Sequence, residues 1–140
     1  MSLSYGLSSG LSGEIFWLVL TCLMTSLLWV PYIINRMIEN GPLPAIWNPY
    51  PDVGAKKAWA QRMICAHENA VENLVVFAPL VILVEVLQVN TEYTAWASMI
   101  YFYSRLGHFI VFSFAVPVLR VVFYFVGFAA QMTIALHLLG

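Results

Sequence analysis

The sequence predicts an all-α integral membrane protein, a single domain built as a bundle of four transmembrane helices. Of the 140 residues, 61% are hydrophobic and only 9% are charged, whereas a soluble domain typically has about 25% charged residues. The apolar residues also form segments close to the roughly 20 residues that a membrane-spanning helix needs. Four such spans occupy nearly the whole chain, 1–140, and leave no room for a second domain. The net charge of −1 disfavours a nucleic-acid partner.

The predicted spans cover residues 15–34, 62–89, 93–115 and 118–139. Pro31 is expected to bend the last turns of the first span. Residues 37–54 are rich in proline and glycine and are predicted to form a loop. The second helix is predicted to run from about residue 55 to 89, with Asp52 as its N-cap.

The second span begins with polar residues. Its strictly apolar portion, Leu74 to Val84, is too short to cross a membrane alone, so residues 62–73 must supply its first embedded turns. Ionisable side chains in hydrocarbon are costly and normally face a bundle interior or a cavity. The function of this protein is therefore predicted to depend on these residues.

Polar residues recur at spacings of three and four, and so share one face, on each of the two central helices. They are Arg62, Cys65, Asn69 and Glu72 on the second helix, and Tyr101, Arg105 and His108, followed by Phe112, on the third. Glu72 and Arg105 lie at about the same depth, roughly 15 Å from the same membrane surface at 1.5 Å per residue. We predict that they form a buried ion pair, which either contributes to a ligand site or only fixes the helix register.

His67 and Glu68 are expected to point away from the Asn69 face, towards another helix or the membrane interface. A metal site is not predicted, because position 71 is valine and a His-Glu-x-x-His motif is therefore absent. The two cysteines, Cys22 and Cys65, are interpreted as small apolar residues in helices.

Arg120 and Tyr124 form an i, i+4 pair at the start of the fourth helix. The helix dipole disfavours a positive charge at that position. An anionic ligand would offset this cost, and lipid phosphates reached by the long side chain are the alternative.

The motif Arg62-x-x-x-Ala66-His67-x-Asn69-x-x-Glu72 resembles the second-helix signature of the MAPEG family (membrane-associated proteins in eicosanoid and glutathione metabolism). Further similarities are Arg105-x-x-His108 in the third helix and Pro117-x-x-Arg120-x-x-x-Tyr124 at the start of the fourth. The resemblance covers nearly the whole chain in length, span count and order.

The resemblance implies a homotrimer that binds glutathione between neighbouring subunits near the cytoplasmic face. It implies that Asn69 and Glu72 hold the peptide and its amino end, and that Arg36 binds a carboxylate. Arg120 would stabilise the glutathione thiolate, with Tyr124 lining the site. The remaining candidate binding residues are Arg62, His67, Arg105 and His108.

The sequence departs from the family pattern at four positions. Cys65 stands where an arginine is usual, and Glu68 where the prostaglandin E synthase branch has arginine. Phe112 replaces a third-helix tyrosine, and Val121 replaces a serine of one branch. Loss of positive charge at the first two positions is expected to weaken the binding of the glutathione carboxylates, or to change how they are held.

Three functions are therefore considered. The first is a glutathione-dependent transferase or peroxidase acting on a lipophilic small molecule, either an electrophile or a lipid hydroperoxide. The second is a non-catalytic member that binds lipid or stabilises a partner enzyme in a larger membrane complex. A small channel or transporter is a third interpretation, supported only by the buried charges.

The basic residues predict the orientation in the membrane. Arg36, Lys56, Lys57, Arg62 and Arg120 all belong to the same side of a four-span bundle. The positive-inside rule places this side in the cytoplasm and both termini on the other side. A bacterial inner membrane is favoured over the endoplasmic reticulum, because the loops are short.

Overall fold

The computed structural model describes residues 10–47 and 55–140, and all regular secondary structure in these ranges is helical. The helices are α1 (Gly13–Leu27), α2 (Val30–Asn40), α3 (Pro42–Trp47), α4 (Ala58–Val86), α5 (Glu92–Ser113) and α6 (Pro117–Leu139). The all-α prediction is confirmed. The ends of the last two helices lie within two residues of those predicted for the third and fourth spans.

The first predicted span consists of two helices, because Pro31 interrupts the hydrogen-bond ladder. Proline has no N–H, and its ring clashes with the carbonyl group four residues earlier, which here belongs to Leu27, the last residue of α1. Helix α2 then extends to Asn40 and is followed by α3, so part of the loop predicted over 37–54 is helical. The predicted N-cap Asp52 lies outside the described residues, and α4 begins only at Ala58.

Three helical segments of the described chain are long and apolar enough to cross a membrane. They are Gly13–Asn40, Ala58–Val86 and Pro117–Leu139. Helix α5 has 22 residues, a length of about 33 Å, but it is not among these three because polar residues lower its hydropathy. These segments support an integral membrane protein.

Helix α5 lies at the centre of the fold, packed against α1, α4 and α6. The rings of Tyr101 on α5 and Phe77 on α4 stack with their centroids 3.7 Å apart. Val81, Val84 and Ile134 complete this fully buried part of the core. The polar side chains Thr94, Ser98, Ser104, Arg105 and His108 of α5 are buried between these helices.

Polar contacts connect the helices at the end of the bundle opposite the basic residues. Thr94 on α5 donates a hydrogen bond to the carboxylate of Glu14 on α1, and Glu14 is only 2% exposed. Ser12, the N-cap of α1, donates to Glu85 on α4 over 2.6 Å. These bonds fix the position of α1 relative to α4 and α5.

Replacing Thr94 with valine is expected to destabilise the bundle. The change removes the only hydroxyl that donates to buried Glu14 in the described structure, together with the capping box of α5. An unsatisfied buried polar group costs about 1–3 kcal/mol, so the melting temperature in detergent should fall by on the order of 5 °C. Thr133→Val is the matched control, because this exposed hydroxyl bonds only its own helix. Equal melting temperatures for the two variants would contradict the prediction.

A candidate ligand-binding cleft

An open cleft of about 230 Å³ lies between α4, α5 and α6 at the basic end of the bundle. Its lining consists of Asn69, His108, Phe112, Arg120, Val121 and Tyr124. Four of the predicted site residues thus meet here from three helices, together with two positions at which the sequence departs from the expected pattern. No acidic residue is among the described residues that line the cleft.

Arg105 lies beneath the cleft and connects two of its walls. Its side chain is 1% exposed. Nη1 donates to Oδ1 of Asn69 over 3.4 Å, and Nη2 donates to the backbone carbonyl of Tyr124 over 3.3 Å. The guanidinium carbon lies 5.2 Å and 5.3 Å from the ring centroids of Tyr101 and Tyr124. Arg105 therefore positions groups from α4 and α6 and does not itself line the cleft.

Space for the Arg105 guanidinium exists because residue 127 is glycine. A Cβ at Gly127 would lie 2.5 Å from Nη2 of Arg105 and 2.6 Å from Oγ of Ser104. Any larger residue would have to displace the buried guanidinium. The close approach of α5 and α6 beneath the cleft therefore depends on this position.

The predicted ion pair between Glu72 and Arg105 is wrong. Glu72 lies on an exposed side of α4 and forms no hydrogen bond or ion pair with another described residue, whereas Arg105 turns towards Asn69 and Tyr124. In the sequence, the two residues were matched only in estimated depth, and depth contains no information on how each helix is rotated about its axis. The amide one turn before Glu72 accepts the hydrogen bond instead.

The other predicted site residues lie outside the cleft in the single chain. Nε of Arg62 donates to the backbone carbonyl of Ser113 over 2.9 Å and so ties the start of α4 to the end of α5. Nδ1 of His67 is 2.9 Å from the hydroxyl of Tyr32 on α2, as expected for a side chain directed away from the Asn69 face. Arg36 is half-buried on α2.

Two further amides support Asn69 from below. Nδ2 of Asn73 donates to the backbone carbonyl of Asn69 over 2.8 Å, and Nε2 of Gln131 on α6 donates to the backbone carbonyl of Asn73 over 2.9 Å. Gln131 is 3% exposed. Sequence reasoning did not select either residue. A polar amide in the middle of the apolar fourth span was a usable signal for Gln131.

Arg120 is the exposed cation of the cleft. In the described structure its side chain forms no hydrogen bond or ion pair, and its guanidinium carbon lies 5.3 Å from the ring centroid of Phe112. The ring of His108 lies 5.5 Å from that of Phe112 and 6.2 Å from that of Tyr124. The cleft therefore presents unpaired guanidinium donors beside a carboxamide, an imidazole and a phenol, which suits an anionic or peptide-like ligand.

Among the described residues, no group of three or more histidine, cysteine, aspartate or glutamate side chains is placed to hold a metal ion. Both cysteines are free and exposed. The described residues that line the cleft supply positive charge, hydrogen-bonding groups and aromatic rings.

Comparison with known protein families shows to which family this chain belongs. The model of the MAPEG family matches residues 15–140. The chain belongs to the MAPEG family. Compared with individual curated proteins, it has no significant match.

The four positions at which the sequence departs from the MAPEG pattern lie on two different surfaces. Phe112 and Val121 line the cleft, whereas Cys65 and Glu68 are exposed on α4, outside it. The cleft of the single chain thus keeps Arg120, and the two changes that reduce positive charge lie on a different surface.

Proposed function

We propose that this MAPEG protein is a membrane-bound, glutathione-dependent transferase or peroxidase acting on lipophilic electrophiles or lipid hydroperoxides. The observation that carries the proposal is that the exposed guanidinium of Arg120 has no hydrogen-bond or ion-pair partner among the described residues. The described residues that line its cleft include no carboxylate. Such a guanidinium is available to an anion supplied by the ligand.

Glutathione would supply a thiolate nucleophile. The residues of the cleft fit such a ligand, because Asn69 and His108 offer hydrogen-bonding groups for a peptide and Arg120 offers positive charge. A guanidinium next to a thiol favours the deprotonated form and so lowers the pKa of the ligand thiol. Arg105 keeps the Asn69 amide in place from below. The apolar lining from Phe112 and Val121 suits a lipophilic second substrate.

A homotrimer accounts for a surface that a single chain leaves exposed. Cys65, Glu68 and Glu72 lie on an exposed side of α4 within one of the membrane-length segments. Carboxylates facing hydrocarbon are costly, so this side is expected to be covered by another subunit. Glu72 and Arg36 would then reach a glutathione molecule bound between subunits, although they do not line the cleft of their own chain.

The proposed topology includes α5 as a membrane span, the third in chain order, and so has four spans, because the neighbours of α5 on three sides shield its polar side chains. The basic residues then share the cytoplasmic side and both termini lie on the other side. A bacterial inner membrane remains the proposed location.

Binding of glutathione to the purified protein tests the proposal directly. Native mass spectrometry of the detergent-solubilised protein should give the mass of three chains with bound glutathione. Millimolar glutathione should raise the melting temperature by several degrees, since a ligand at 100 times its Kd stabilises by about 2.7 kcal/mol. The sample should also conjugate chlorodinitrobenzene.

The outcomes separate the candidate functions. Three chains without glutathione binding or turnover would overturn the enzymatic proposal and favour the non-catalytic function, for which Cys65, Glu68 and Phe112 are the supporting residues. A monomer would overturn the trimer and leave Glu68 and Glu72 without a covering subunit. Binding without turnover of either an electrophile or a lipid hydroperoxide would exclude the proposed catalysis.

A further inference from the structure

Arg120 occupies an unfavourable position in its own helix. It lies in the first turn of α6, which begins at Pro117, and the helix dipole disfavours a cation there. Its side chain makes no hydrogen bond or ion pair in the described structure, and the Phe112 ring is the aromatic group that its guanidinium approaches. A long, exposed side chain in this position would otherwise extend to the lipid phosphates.

The Phe112 ring is itself held in place. It packs against the buried cluster of Leu28, Ala66, Ala70 and Phe109. The turn that follows is closed by a hydrogen bond from the amide of Val116 to the carbonyl of Val111, 2.9 Å long. This turn brings the start of α6 back beside the end of α5, so a fixed ring lies next to an otherwise unrestrained guanidinium.

We propose that Phe112 is a positioning residue, whose ring face holds the guanidinium of Arg120 at the rim of the cleft. A ring face attracts a cation without accepting a conventional hydrogen bond. All five N–H donors of Arg120 therefore stay available to an anionic group of the ligand. The effect on catalysis rests on the proposed function, whereas the position of Arg120 does not.

Three variants test this role: Phe112→Leu removes the ring, Phe112→Tyr keeps it, and Phe114→Leu is the matched control. Phe114 lies two residues further on and is 76% exposed. The first readout needs no activity: the Nε–H resonance of Arg120 in protein labelled with ¹⁵N-arginine and assigned with Arg120→Lys. A ring current should shift this resonance upfield in the wild type, in Phe112→Tyr and in Phe114→Leu, and the shift should be lost in Phe112→Leu.

The second readout is the pH dependence of glutathione turnover. For Phe112→Leu, kcat/KM should fall by about 2- to 30-fold, the range that corresponds to a single cation–π contact. The rising limb of the pH profile should move to higher pH, because a displaced guanidinium stabilises the thiolate less. Phe112→Tyr should restore both values, and Phe114→Leu should match the wild type.

An unchanged Arg120 resonance in Phe112→Leu would overturn the inference, as would a fall in kcat/KM without a shift of the pH profile in an active enzyme. If the wild-type protein is inactive but the resonance changes as expected, the proposed function fails while the positioning role stands. If Phe112→Leu does not fold, the resonance in Phe112→Met decides in its place, because methionine fills similar space without a ring.

Discussion

Replacing Arg120 with alanine is expected to abolish measurable glutathione turnover. The change removes the exposed cation from a cleft whose described lining holds no other permanently positive side chain. Loss of one group that stabilises developing or bound negative charge typically costs about 100- to 1,000-fold in kcat. Steady-state turnover of chlorodinitrobenzene in detergent micelles measures the effect.

Three controls make the Arg120→Ala result specific. Because the side chain is exposed and without hydrogen bonds in the described structure, the melting temperature should stay close to that of the wild type. The affinity of Arg120→Ala for S-methylglutathione, which has no ionisable thiol, should fall much less than its affinity for glutathione. Arg120→Lys should retain part of the activity, since it keeps the charge but not the planar guanidinium. Wild-type rates in Arg120→Ala would show that Arg120 does not stabilise the thiolate.

Gly127→Leu is expected to have the largest effect on stability. The new side chain would occupy the space of the Arg105 guanidinium, which is buried between two tyrosine rings and cannot retreat into solvent. Overpacking alone costs about 1–3 kcal/mol, and the displaced cation would lose its bonds to Asn69 and Tyr124. The melting temperature should fall by on the order of 5–10 °C, and turnover should fall with it.

Val126→Leu is the matched control for Gly127→Leu. It adds volume to the same helix turn, but residue 126 is 40% exposed. The melting temperature of Gly127→Ala should lie between those of the two leucine variants, since its Cβ alone would come within 2.5 Å of Nη2 of Arg105. If all three variants melt at the same temperature, the close approach at Gly127 does not limit stability.

Sequence patterns predicted much of this molecule because they reflect local physics. Pro31 lacks an N–H wherever it lies in space, so a bend near it followed from the residue alone, and the first helix does end at Leu27. Asn69 was selected because polar groups in spans need partners, and Arg120 because the helix dipole disfavours a cation in the first turn of its helix. Both line the cleft. In contrast, the extension of helix through Pro42–Trp47 was missed, because proline is tolerated in the first turn of a helix as well as in loops.

The amino-acid sequence by itself determined that this chain is helical, that it belongs in a membrane, and which polar side chains must be shielded there, because hydropathy and the spacing of residues along one helix are properties of the chain. Only the tertiary structure decided which polar side chains contact one another. Arg105 bonds Asn69 and not Glu72 because a rotation of α4 about its axis, set by packing against α5 and α6, turns one side chain inward and the other outward. Such rotations arise from contacts between helices, so no pattern along a single helix can predict them.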